Sequence, residues 1–269
     1  MTTQLISIYG TGTKILAKDL SFLEQLVIGT EKIPALLDKA SLLAVKNQYF
    51  LADKLYKTLL KMHPLNQDIW VAFAGYNLRQ NKIQQVELLA DEARVFFKSN
   101  PVFHREFGFL LFQCRKYQKA AAFLETAINL GDGEGNLFIL ARCYEKLGDL
   151  AKAAQLYSNC IDGGSNKQEA FKNRGKIYFK EERYKECITD FVNYMELNGD
   201  DPEVKYMLAK AYQNTGRYEE SMTIMEDNKD DPVFAGMAVE SRPQAVIKID
   251  YLEPPELRIL NDDNIYEEQ

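Results

Sequence analysis

Residues 137–157 read LFILARCYEKLGDLAKAAQLY, two helix-forming segments separated by Gly148-Asp149. Apolar residues recur at helical spacing on one face of the first segment, at Leu137, Leu140, Ala141 and Tyr144. The second segment carries a matching apolar stripe at Ala153, Leu156, Tyr157 and Cys160. The glycine interrupts the helical pattern, so the stretch predicts a helical hairpin that buries its two apolar faces against each other.

The same pattern recurs along the chain at intervals of 33 or 34 residues. Small residues stand at Ala40, Ala74, Gly108, Ala141, Gly175 and Ala209. Twelve residues later in each unit come Ala52, Val86, Ala120, Ala153, Cys187 and Ser221. Small side chains allow two helices to cross closely, and a single hairpin cannot bury its outer face. Six stacked hairpins therefore predict an all-α solenoid with a continuous core.

These units resemble the tetratricopeptide-repeat family. The first unit carries the family pattern at Leu36, Ala40, Leu43, Ala52, Tyr56 and Pro64, and the fifth carries it at Phe171, Gly175, Tyr178, Tyr184, Cys187 and Phe191. The resemblance implies a right-handed superhelical solenoid of about six hairpins, over 33–66, 67–100, 101–133, 134–167, 168–201 and 202–228. The second unit begins with Trp70 in the large-residue place but has Asn77 where the pattern has tyrosine, which predicts looser packing there.

Two flanking segments differ from the repeats. Residues 1–32 contain an amphipathic stretch over 14–30 that predicts a helix capping the first repeat. Residues 229–269 are expected to form an extended acidic tail, with seven Asp/Glu against two Lys/Arg from 248 to 269. The tail could fold back onto a basic groove as an autoinhibitory segment, or it could be a solvated end, which is the commoner behaviour of charge runs.

Composition excludes several classes of function. The chain has 269 residues and a net charge of −6, which argues against nucleic acid as a partner. No apolar run approaches the ~20 residues of a membrane-spanning helix, so membrane insertion is not expected. The start lacks the pattern of a signal peptide, and Cys114, Cys143, Cys160 and Cys187 show no CxxC spacing. A cytoplasmic protein with no metal and no cofactor is expected.

The family resemblance places a ligand groove on the concave side, lined by the first helix of each repeat. Its apolar front would consist of Leu37, Val45, Val71, Leu78, Val102, Phe109 and Phe112. Its basic rear would consist of Phe138, Arg142, Lys146, Lys172, Lys176, Phe179, Lys180, Tyr206 and Lys210. Such a groove predicts a protein partner that offers an extended or helical segment with apolar anchors and acidic residues. The alternative is that the basic side chains are simply solvated on an exposed helix face and that the apolar front packs inside the protein.

Catalytic patterns are weak in this chain. His63 and His104 occupy structural places in the repeat, and Cys160 and Cys187 fall at packing positions. The stretch from Gly10 to Lys14 lacks the spacing of a phosphate-binding loop. The sequence therefore predicts a non-catalytic interaction module or assembly scaffold, with self-association possible through its ends. Two alternatives stay open: a chaperone similar to the class II chaperones of type III secretion, and a regulatory subunit of a separate enzyme.

Overall fold

Six consecutive pairs of helices form most of the described part of the chain. The computed structural model describes residues 5–6, 15–16, 32–133, 135–197, 199–232 and 234. The first helices of the pairs, called A helices here, are α1 (Ile33–Val45), α3 (Gln67–Arg79), α5 (Pro101–Gln113), α7 (Asn136–Leu147), α9 (Lys167–Lys180) and α11 (Pro202–Asn214). The second, or B, helices are α2 (Tyr49–Met62), α4 (Ile83–Ala93), α6 (Tyr117–Asn129), α8 (Leu150–Gly163), α10 (Tyr184–Glu196) and α12 (Tyr218–Asp227). The predicted all-α solenoid of six hairpins is confirmed.

The small residues of the repeat lie where the two helices of each hairpin cross. All twelve positions of the two registers named above are buried. A Cβ added to Gly175 would lie 2.7 Å from the ring of Phe191, and one added to Gly108 would lie 2.7 Å from Leu124. Contacts this short do not occur between real side chains, so the crossing leaves no room for a larger residue.

Every hairpin turns through one residue in the left-handed backbone region. These residues are Asn47, Asn81, Arg115, Gly148, Glu182 and Gly216. In each turn, the backbone N–H of the next residue donates to the carbonyl five residues before it on the A helix, as in Arg183 N to Tyr178 O at 2.9 Å. This is the Schellman arrangement that ends a helix. Among these turns the sequence pattern singled out Gly148 as a helix break, whereas an Arg or Glu in this conformation gives no compositional signal.

Polar side chains connect neighbouring repeats. Asn66, Asn100 and Asp201 each accept a hydrogen bond from backbone amides at the start of the next A helix. Arg174 of α9 donates to both carboxylate oxygens of Asp190 on α10, at 2.8 and 2.6 Å, and to the Ser158 hydroxyl on α8 at 2.7 Å. One guanidinium therefore joins the B helices of two successive hairpins.

The two ends depart from the sequence predictions. Ile15–Leu16, inside the predicted capping helix over 14–30, form strand β2, which pairs antiparallel with β1 (Leu5–Ile6). Helical spacing of apolar residues alone does not distinguish such a short strand from a turn of helix. The remainder of that predicted helix lies outside the described residues.

The predicted tail over 229–269 does not begin as an extended segment. Pro232 and Phe234 are helical, and the Asp231 carboxylate accepts a hydrogen bond from the Phe234 amide, as Asp201 does at the start of α11. Phe234 is buried, and its ring packs edge-on against Tyr206, 5.7 Å between centroids. The apolar contact explains why the chain stays on the stack beyond 228. The acidic stretch over 248–269 lies outside the described residues.

Replacing Gly175 with alanine should destabilise the protein by about 1–3 kcal/mol, because its methyl group would overlap the Phe191 ring. Gly163, near the end of α8, provides the matched control, since a Cβ there meets nothing within 4 Å. Urea unfolding of G175A, G163A and the wild-type protein measures the effect. Equal midpoints for the two variants would contradict close packing at the crossing.

Folding stability should decrease as the pH is lowered from about 7 to about 5, partly because of His104. Burial lowers the pKa of this imidazole, which is 1% exposed. The unfolded state therefore takes up a proton near the ordinary pKa of about 6.5 while the folded state resists it, so this contribution is present above that pH and lost below it. The fifth repeat has phenylalanine at the equivalent position, Phe171. His104→Phe should therefore reduce the pH dependence of the unfolding free energy. Parallel profiles for variant and wild type would refute the assignment.

Candidate functional site

The predicted groove residues all lie on A helices, and none of them is buried. Val45, Lys146 and Lys180 are exposed, and the other members of the predicted set are partly exposed. We call this surface the A-helix face, consisting of Leu37, Val45, Val71, Leu78, Val102, Phe109, Phe112, Phe138, Arg142, Lys146, Lys172, Lys176, Phe179, Lys180, Tyr206 and Lys210. The repeat brings these residues onto equivalent positions of successive helices, because the A helices stack side by side along the solenoid.

Most apolar side chains of the A-helix face pack partly against the hydrophobic core. Leu37, Val71, Leu78, Phe109 and Phe112 pack against the core that runs through the first four hairpins. Val45, by contrast, is 78% exposed at the end of α1. The front of the face therefore offers the edges of core side chains rather than an open apolar groove.

Two of the predicted lysines join neighbouring repeats. Lys172 pairs with Asp201 at 2.5 Å, and Lys176 pairs with Glu203 at 2.5 Å. Asp201 caps α11, so the first pair holds α9 against the start of the next A helix. Neither carboxylate was predicted from the sequence, although both lie at the start of α11, where acidic residues are favoured by the helix dipole.

The other four cations of the face have no carboxylate partner within the described ranges. The Arg142 guanidinium lies 4.8 Å from the centroid of Phe112, one repeat away, and Lys210 lies 5.9 Å from the ring of Tyr206. Lys146 and Lys180 extend from the last turns of α7 and α9. Stacked guanidinium and exposed ammonium groups beside aromatic rings can bind a carboxylate without breaking an existing ion pair.

Carboxylates also occur near this face. Asp132 and Glu106 both pair with Arg105 of α5, at 2.8 and 3.1 Å. Glu145 accepts a hydrogen bond from the buried Tyr157 hydroxyl at 2.9 Å. These acids are bound to the protein's own donors.

The cysteines have the inert character predicted for them. All four thiols are unpaired and buried, and burial raises the pKa of Cys143 and of Cys187 to about 12. A thiol that stays protonated is a poor nucleophile and a poor metal ligand.

Glu181 and Glu182 lie in the exposed turn between α9 and α10, and Gly10–Lys14 lies outside the described residues.

The described residues contain no cluster suited to a metal ion, since no group of three or more His, Cys, Asp or Glu among them could hold one. In the same part of the chain, every helix is too short or too polar to cross a membrane.

Comparisons with known proteins agree with this architecture. Tetratricopeptide-repeat family models match residues 136–162 and 202–227. No curated protein sequence matches the chain. Among solved structures, YrrB, described as a TPR protein with an unusual peptide-binding site, is 17% identical, with a TM-score of 0.57 over 69% of this chain and 97% of that one. PilF of Pseudomonas aeruginosa is 12% identical, with a TM-score of 0.57 over 77% and 96%.

The type IV pilus biogenesis factor PilW is similar in structure to the same degree. It is 12% identical, with a TM-score of 0.57 over 76% of this chain and 97% of that one. Likeness at these identities establishes a shared fold. Tetratricopeptide-repeat models therefore match two of the six hairpins, and the described helices share the fold of solved tetratricopeptide-repeat proteins.

Proposed function

We propose that the chain is a non-catalytic protein-interaction module whose A-helix face binds an acidic segment of another protein. The tetratricopeptide-repeat fold supports the general class, since proteins of this family bind other proteins or peptides. The observation that carries the finer proposal is the set of four cations without a carboxylate partner in the described chain: Arg142, Lys146, Lys180 and Lys210. They extend over the last three A helices in a chain that is acidic overall.

The stacked pair of Arg142 and Phe112 defines the centre of the proposed site. A carboxylate of the partner would bind the guanidinium, and an apolar side chain beside it would contact the exposed edges of Phe112 and Phe138. Lys146 and Lys180 would bind further acids of the same segment. This combination of aromatic contacts and cations is typical of grooves that take an amphipathic helix or an extended peptide.

The paired lysines have a different role in this proposal. Lys172 and Lys176 neutralise carboxylates of the next repeat, so a ligand would have to displace an ion pair to reach them. Reversing their charge would place two glutamates beside Asp201 and Glu203 and loosen the junction between repeats. A test of binding therefore has to leave these two residues unchanged.

Four unpaired thiols suit a reducing compartment such as the cytoplasm, where we place this function.

Lys146→Glu combined with Lys180→Glu should weaken partner binding by about tenfold or more, through lost attraction and new repulsion. The matched control is Lys98→Glu with Lys185→Glu, which makes the same change in net charge at two exposed lysines outside the A-helix face. Quantitative pull-down from native lysate with mass spectrometry gives the readout, after circular dichroism shows equal helix content. Identical partners for both double variants would place binding elsewhere.

A further inference from the structure

A cleft separates the B helices α2 and α4, and it shares no residue with the A-helix face. It consists of two connected pockets with volumes of about 640 Å³ and about 440 Å³. Lys57 of α2 and Gln85 of α4 line both of them. We call this surface the α2–α4 cleft. Its two ends differ in chemistry, one apolar and one polar.

The apolar end is formed around Trp70. Leu60 and Leu89 line it together with Val95 and Phe96, which are 64% and 47% exposed. The Trp70 indole N–H donates to the Pro64 carbonyl at 2.9 Å, so the ring has no unsatisfied polar group, and Phe96 packs on it at 5.9 Å. Helix α4 ends at Ala93, and the turns after it carry the two exposed residues. Such a pocket accepts one large apolar side chain.

The polar end contains a buried acceptor without a donor. Asn77 occupies the position at which the other repeats have leucine or tyrosine, and it is 1% exposed. Its Nδ2 donates to the Phe73 carbonyl at 2.8 Å, but its Oδ1 accepts no hydrogen bond within the described structure. Asn77 lines the 440 Å³ pocket. A buried acceptor without a hydrogen bond destabilises the fold, and an entering N–H donor would satisfy it.

Cations dominate the rim of the cleft. Lys57 pairs with Asp53 at 2.7 Å, yet its side chain is 63% exposed. Lys61 and Lys82 have no carboxylate partner among the described residues, and Glu92 is the other acid that lines the cleft. Three lysines against two acids favour an acidic ligand, in a chain that carries net negative charge elsewhere.

We propose that the α2–α4 cleft is a second binding site, for an extended acidic peptide segment of another protein. A large apolar side chain of the peptide fills the Trp70 pocket, and a backbone N–H donates to Asn77 Oδ1. Aspartate or glutamate on either side binds Lys61 and Lys82. An extended peptide supplies these three groups in a row, because its backbone amides alternate with side chains that point to opposite faces.

The test begins with a phage-displayed library of random 12-residue peptides, selected on the full chain. Enriched sequences should combine one large apolar residue with neighbouring Asp or Glu. Their synthetic versions should shift the fluorescence of Trp70, which is the only tryptophan of the chain and lines the pocket. Failure to enrich such sequences, or binding without a change in Trp70 emission, would overturn the proposal.

Two variants separate this site from the A-helix face. Asn77→Leu introduces the residue that the first and third repeats have at this position. The variant should therefore fold, and its affinity for the peptide should be at least tenfold lower. Lys61→Glu with Lys82→Glu should do the same through charge. Lys146→Glu with Lys180→Glu should leave the affinity unchanged. Loss of binding only in the last variant would reject the cleft as the site, and displacement by a synthetic copy of residues 252–269 would identify the chain's own tail as its occupant instead.

Discussion

The close crossing of two helices within each hairpin is the constraint on which the rest of this structure depends. At each crossing a small A-helix residue, alanine or glycine, meets a B helix closely, and at Gly175 an added Cβ would lie only 2.7 Å from the Phe191 ring. Because all six hairpins cross in the same way, they present equivalent faces and stack into one solenoid. The A-helix face and the α2–α4 cleft both follow from that stacking, since each is formed by equivalent helices of successive repeats.

The turns maintain this regularity with little help from glycine. Four of the six left-handed residues are Asn, Arg or Glu, which adopt this conformation at an energetic cost. The Schellman hydrogen bonds and the buried crossing on either side hold them there. Local strain is thus tolerated because the packing of two whole helices over-determines the turn.

The same repeat position serves packing in one unit and recognition in another. Tyr144, Tyr178 and Tyr212 pack in or against the hydrophobic core, whereas Asn77 lines a pocket and has an unsatisfied side-chain carbonyl. Likewise, Lys172 stabilises a junction between repeats while Lys180, on the same helix, remains without a carboxylate partner in the described chain. A repeat family acquires binding surfaces in this way, by departures from its pattern at single positions, because the remaining positions keep the fold.

The amino-acid sequence by itself determined the hairpins, their number and the faces they bury. It could do so because small and apolar residues recur at a fixed period, and the contacts they make are local. The unpaired cations, the Lys172–Asp201 pair and the cleft at Asn77 depended on the tertiary structure. Whether a lysine is paired or a carbonyl is satisfied depends on side chains about 30 residues away, whose direction no periodicity specifies. The predictions for Ile15–Leu16 and for the start of the tail were wrong, because hydrophobic spacing does not show whether a short apolar segment pairs as a strand or packs on the last repeat.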